Sequence, residues 1–309
     1  MKKLAMMISA VLVSGGAYAA AGDDNSSEIT ITDSNDNGVS VVQVSPGTTD
    51  NNSSTVTISG ESDDNTVSLY QEGDNNTSTV SALTQSDDNE PNVVQIGSTN
   101  TSEVTFDNSS DMNVEFDVTQ VGNEHSSTVT MDNDSDSNML KVYQEGSLNT
   151  STVTMDHMSS SNDVKVTQLA LDNDSTVLID DSIGTTATVF QEGALNAQTV
   201  NVTSDADGNT VSAGQSGAEN TSNIDITWGD SNTVTAWTGG SFNTIDVDIM
   251  GQASDSNTVE LVQLSNTSFS QVAITGSGSN DVFVGQTAQD SSTVTLTSSN
   301  GNNIHVWQD

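Results

Sequence analysis

A glutamine returns along this chain at a nearly fixed interval: Gln43, Gln71, Gln95, Gln120, Gln144, Gln168, Gln191, Gln215, Gln263, Gln286 and Gln308. From Gln71 onward the steps are 22 to 25 residues, with Thr238 standing where a glutamine would fall between Gln215 and Gln263. A period of this length admits few folds. A unit so short cannot bury a hydrophobic face alone, so it must stack on copies of itself.

The pattern inside each unit sets the kind of element. Around Gln71, Val67 and Leu69 precede and Val80 and Ala82 follow. Around Gln144 the equivalents are Leu140, Val142, Val153 and Met155, and around Gln215 they are Val211, Ala213, Ile224 and Ile226. Thr, Ser and Asp fill the alternate places, and period two is the mark of a half-buried strand. The two strands of a unit meet at Gln-x-Gly-x-x-Asn. Its glycines are Gly73, Gly97, Gly122, Gly146, Gly193 and Gly217, and its asparagines are Asn76, Asn100, Asn149, Asn173, Asn196 and Asn220. Glycine permits positive φ there, and asparagine tolerates it while bonding local backbone. Turns rich in Asp, Ser and Asn, such as 86–89, 132–138 and 204–209, lead to the next unit. The spacing predicts an all-β fold: a β-solenoid of stacked strand-turn-strand rungs, 22–25 residues each and eleven or twelve in number. Rungs would lie about 4.8 Å apart, as neighbouring strands do.

Even spacing puts each glutamine on the same face as Val and Leu, pointing inward. A lone inward amide is costly. A column of amides can pass hydrogen bonds from rung to rung, as Gln and Asn ladders of cross-β structures do. The Gln, Asn and Gly columns are therefore read as ladder and turn residues serving the fold, not as catalytic ones.

These residues resemble the curlin family, the subunits of curli amyloid fibres. Gln71, Gly73 and Asn76 match the core of the family repeat, as do Gln144, Gly146 and Asn149, Gln191, Gly193 and Asn196, and Gln215, Gly217 and Asn220. The second glutamine of the family repeat is replaced here by Ala82, Phe106, Met131, Met155, Ile179 and Val202. The leading Ser is usually Asn, the turn glycine gives way to Ala170, Ser265 and Ala288, and there are more units than is typical. The resemblance implies an extracellular fibre subunit of a Gram-negative-type bacterium. It implies passage unfolded through an outer-membrane channel, then polymerisation at the cell surface with a nucleator subunit.

The first residues fit export. Lys2 and Lys3 precede the apolar run Leu4 to Val13, and Ala17-Tyr18-Ala19 suits signal-peptide cleavage. The expected organisation is a signal peptide at 1–19, a mature N-terminal segment with a half-repeat at 20–36, and the repeat solenoid at 37–309. The segment 26–37 reads as the second half of a unit and 302–309 as the first half of one, so two molecules would complete a shared rung head to tail.

Charge restricts the partners. The net charge is −39, with 43 Asp and Glu against 4 Lys and no Arg. Nucleic acid and anionic membranes need a basic face that this chain lacks. Weak, diffuse binding of divalent cations is expected. No defined calcium site is: after Asp132, Asp134 and Asp136, an EF-hand would want Gly and Glu where Ser137 and Tyr143 stand. No cofactor is implied.

Other chemistry lacks its parts. There is no cysteine, no phosphate-binding glycine loop, no nucleophile elbow and no convergent acid–base set. His125, His157 and His305 are scattered and read as turn or surface residues. Outward threonines and the outward aromatics Tyr70, Tyr143, Phe190, Trp237 and Trp307 read as strand cover. The sequence thus points to a structural fibre subunit for biofilm matrix and adhesion, not to an enzyme. The alternative is a non-polymerising solenoid that binds a surface, as an adhesin or an ice-binding protein.

Overall fold

The computed structural model describes residues 8–9, 16–20, 25–45, 51–113 and 115–309. Most of the expected signal peptide, 1–7 and 10–15, lies outside the described residues. Among those described the regular elements are all strands. Alternating Val, Ile and Thr favour this, because branched side chains pack well on a pleated surface.

The chain divides into two compact units, residues 1–157 and 158–309. Each unit is a parallel β-solenoid, and together they hold about 12 turns. In the first unit one sheet holds the glutamines, running through Gly38–Val44, Thr66–Asp74, Pro91–Ser98, Phe116–Asn123 and Met139–Ser147. The facing sheet runs through Ser26–Thr32, Ser53–Ser59, Thr77–Leu83, Thr101–Phe106, Ser126–Met131 and Thr150–Asp156. Short strands at Gly16–Ala20 and Ile8–Ser9 pair with the first member of each. In the second unit the Gln sheet runs from Asp163–Leu171 to Asn303–Gln308, and the facing sheet from Asp174–Asp180 to Ser291–Thr297.

Register is strict, and it is the property on which everything inside depends. Gln71, Gln95, Gln120 and Gln144 are Cα partners in successive strands. So are Val56, Val80, Val104, Val129 and Val153 in the facing sheet, each fully buried. A slip of one residue would turn all of these side chains outward. The position where the family repeat has its second glutamine is apolar and buried: Ile58, Ala82, Phe106, Met131 and Met155 in one unit, Ile179, Val202, Ile226, Ile249 and Ile274 in the other. Phe106 meets Phe116 edge-on with ring centroids 5.2 Å apart.

The turn after the glutamine differs in detail from the sequence reading. The asparagines are not the residues with positive φ. That conformation belongs to the residue just before them: Asn75 (55°), Thr99 (60°), Leu148 (60°) and Leu195 (58°). Chain reversal requires a left-handed residue there, whatever its side chain, and frees each asparagine to point inward. The turn glycines do take positive φ, 110° at Gly73 and 121° at Gly97. Of the turns without that glycine, the one at Ala170 keeps the conformation, with φ 82°.

Candidate functional site

The glutamine side chains lie inside the solenoid and touch one another. Gln43 Nε2 donates to Gln71 Oε1 at 2.8 Å, Gln71 to Gln95 at 2.8 Å, Gln95 to Gln120 at 2.9 Å and Gln120 to Gln144 at 2.9 Å. The same amides donate to strand-opening carbonyls of the facing sheet, Gln71 to Ser53 and Gln95 to Thr77. In the second unit Gln168 donates to Gln191, Gln191 to Gln215, Gln263 to Gln286 and Gln286 to Gln308, all at 2.9–3.0 Å. Each of these glutamines donates to the glutamine oxygen of the turn that follows it in sequence.

The asparagine column runs the other way. Asn76 Nδ2 donates back to Asn52 Oδ1 at 3.1 Å, and Asn100 to Asn76 at 3.0 Å. Asn196, Asn220 and Asn243 donate back along their column in the second unit, each at 3.0 Å. The backbone N–H of each reaches the same Oδ1, as Asn76 does to Asn52 at 3.0 Å. Local bonds close the turn, such as Asn149 Nδ2 to the Glu145 carbonyl at 3.0 Å. Each unit thus has two internal ladders of opposite sense, and the two ends of each unit are chemically different.

Two substitutions interrupt the ladders. Thr238 takes the glutamine place between Gln215 and Gln263, in register with both. Thr238 Oγ1 and Gln263 Oε1 are buried without a partner among the described residues. Ile245, in the same turn, stands where Ser222 and Ser270 stand on either side. The turn has exchanged a Gln and a Ser for a Thr and an Ile.

His125 takes an asparagine place, and here the surface reading is corrected. It is 1% exposed, because it occupies the inward position between Asn100 and Asn149. Its N–H donates to Asn100 Oδ1, its Nδ1 accepts the Asn149 N–H at 3.3 Å, and its Nε2 faces the Val121 carbonyl at 3.3 Å. The ring therefore works as a neutral acceptor–donor pair in place of an amide. Burial pushes its pKa down from the ordinary value of 6.5, and hydrogen bonds to the Val121 and Gly146 carbonyls oppose that.

The second turn holds three columns: the leading asparagine of the repeat, and a serine and an aspartate that the sequence reading did not single out. A further inward asparagine recurs at Asn65, Asn89 and Asn113, each donating its N–H to the Oδ1 of its predecessor. Ser62 and Ser86 bond back to the strand-end carbonyls of Ser59 and Leu83, and Ser62 accepts the Ser86 N–H. Asp87, Asp111 and Asp136 accept the N–H of Asp63, Asp87 and Asp111. The shared period was the available signal, masked by the uniform Asp-Ser-Asn composition of these turns. Asp136 is thus engaged in a rung-to-rung bond, while Asp132 Oδ1 serves Asn108 and Asn133.

The outer faces are strongly acidic. Tyr70 and Tyr143 each donate to the glutamate two residues on, Glu72 at 2.7 Å and Glu145 at 2.8 Å. Those bonds hold the phenol pKa values up. Lys141 pairs with Glu115 at 3.2 Å, both exposed. Trp237 lies across Gly214 in the preceding strand, stacked on Phe190 with centroids 6.3 Å apart.

Parallel strands in register, with internal polar ladders, define a cross-β solenoid. A family description, the curlin associated repeat, matches residues 63–105, two consecutive Gln-x-Gly-x-x-Asn turns. Over this stretch the chain is similar to the curlin repeat. No curated protein matches the chain.

Proposed function

We propose that this chain is a secreted structural subunit of a curli-like fibre, adding head to tail at the surface of a Gram-negative-type cell and serving biofilm matrix and adhesion. The observation that carries this reading is the polarity of the ladders. Gln side chains donate toward the following turn and Asn side chains toward the preceding one, so the two ends of a solenoid are complementary by translation. A second copy stacked in the same direction continues both ladders, and such a heterologous contact does not close. A nucleator subunit and an outer-membrane channel are its implied partners. Divalent cations bind weakly along the acidic turns, nucleic acid does not bind, and the chain is not an enzyme.

The test is seeded growth. Purified 20–309 is followed by electron microscopy with and without sonicated fibres. Unbranched fibrils with a lag that seeds abolish are expected, and removal of 302–309 should slow elongation sharply. A persistent folded monomer that ignores seeds would overturn the reading in favour of a non-polymerising surface binder.

A further inference from the structure

The facing sheet carries one more inward polar column, which the ladders do not absorb. Ser27, Ser54, Ser78, Ser102, Ser127 and Ser151 stand in register through consecutive strands of the first unit. From Ser54 to Ser151 they are only 1–2% exposed. All six hydroxyl oxygens are buried, and among the described residues none has a hydrogen-bonding partner. In the second unit the same column reads Ser175, Gln198, Ser222. Both of these hydroxyls and both amide atoms of Gln198 are again without a partner, and Gln198 is 2% exposed.

Buried polar groups are almost always satisfied, so a repeated exception calls for a ligand. The serines cannot satisfy one another. Strand spacing holds them about 4.8 Å apart, whereas an O–H···O bond spans about 2.7–2.8 Å. That spacing does suit an oxygen placed between two hydroxyls and bonded to both at an open angle. Gln198 shows that the column has room. It brings three more heavy atoms than Ser to the same inward position while Gln191 keeps its ladder bond in that turn. The difference is on the order of the roughly 30 Å³ that one water occupies.

We propose that in each unit this column binds a file of water running along that unit's axis, one molecule between successive serines, with the Gln198 amide as a bonded member of the second unit's file. The second unit's file is bounded where the chemistry changes. Ile245 fills the position with an apolar side chain. Beyond it, Ser270 turns to the glutamine ladder instead, meeting Gln263 Nε2 at 3.1 Å and Gln286 Oε1 at 2.7 Å. Ser270 defines the competing fate of such a hydroxyl. The proposal needs only the folded solenoid, so it stands or falls separately from the fibre reading.

The experiment is water-edited solid-state NMR on the isotope-labelled full chain, as sedimented protein or as fibre. Polarisation from water should reach Cβ of Ser54, Ser78, Ser102 and Ser127 and the Gln198 side chain as fast as it reaches exposed Thr77 and Thr101. Val80 and Val104, in the same strands, should lag well behind. Serines as slow as those valines would overturn the file. Two variants give an independent readout. Ser102→Ala and Gln198→Met each remove a member of a bonded chain and should lower the melting temperature by about 2–4 °C. A rise in either would mean that the polar group had no ligand to lose, and would overturn the proposal.

Discussion

A β-carbon on Gly97 would lie 1.9 Å from the carbonyl oxygen of Gly122, its counterpart in the next turn. The same collision repeats from Gly73 to Gly97 and from Gly193 to Gly217, each at 2.0 Å. The clash is with backbone, which cannot swing aside. Gly97→Ala should therefore destabilise by about 1–3 kcal/mol from overpacking, beyond the 1–2 kcal/mol or so of a non-glycine at positive φ. Gly184 supplies the control. Its φ is 68°, but nothing lies within 4 Å of an added carbon, so Gly184→Ala should cost only the backbone term. Equal losses in chemical denaturation of the two variants would refute this account of the glycine column.

Thr238 and Ile245 are a paired departure from the repeat, and they should be repaired as a pair. Thr238→Gln alone forces a longer side chain into a turn already filled by Ile245. Combined with Ile245→Ser, it lets Gln215 reach a glutamine and gives Gln263 Oε1 a donor. The double variant should gain about 1 kcal/mol for each of two restored buried hydrogen bonds, less what the lost isoleucine contributed. A double-mutant cycle in denaturant checks this. The expected sign is favourable coupling, with the double variant more stable than the two single changes predict. Additivity would sink the idea.

His125 makes one turn sensitive to acid. Its folded-state pKa lies below the ordinary 6.5, chiefly through burial. Between those two values the unfolded chain holds a proton that the folded chain does not, so stability rises with pH across the window. The contribution is complete above about pH 6.5 and is lost as pH falls toward the lowered folded value. Protonation would also put a second donor against the Asn149 N–H, which now bonds to Nδ1. His125→Asn restores the residue found on either side and should remove this slope. The check is the denaturation midpoint of both proteins from pH 7.5 to 5; identical slopes would exclude the role.

The solenoid was legible in the sequence because its two controlling periods are short. The alternation around Gln71 and Gln144 marks the strands, and the recurrence of the glutamine marks the stack. Other features depend on geometry that residue identity does not encode. Asn75, Thr99, Leu148 and Leu195 share a left-handed backbone but no side-chain chemistry, so nothing in the letters singles them out. The opposed sense of the Gln and Asn ladders follows from amide orientation once the turns are stacked. His125 looked like a surface residue because a histidine in a polar turn usually is one. Only the register places it in line with Asn100 and Asn149. The serine column recurs through the first unit and is broken later by Gln198 and Ile245, and its period alone does not tell that the hydroxyls are buried without partners.

Assembly should answer to charge on the outer face of the second unit. Asp225 and Asp248 are Cα partners in adjacent strands, and Asp246 lies beside them, in register with Asn223. Burial, then the neighbouring carboxylates, raises the pKa of Asp246 and Asp248 above the ordinary 3.8. A raised carboxyl binds its proton more tightly in the folded state. Its stabilising effect is therefore present below about pH 3.8 and is lost as pH rises through the higher folded value. Asp248→Asn should stabilise at neutral pH, by up to about 1 kcal/mol for relief of its like-charge cross-strand pair with Asp225, and Asp246→Asn should stabilise in the same direction by removing the repulsion from the neighbouring Asp225. Each should also flatten the gain seen on acidification. The same repulsion acts along the whole chain, at a rung spacing well inside the Debye length of about 8 Å in physiological salt. Added salt or divalent cations should then speed fibril growth, and the two Asn variants should show a smaller salt effect than the parent. Growth rates that are flat across ionic strength would show that the acidic faces do not limit stacking.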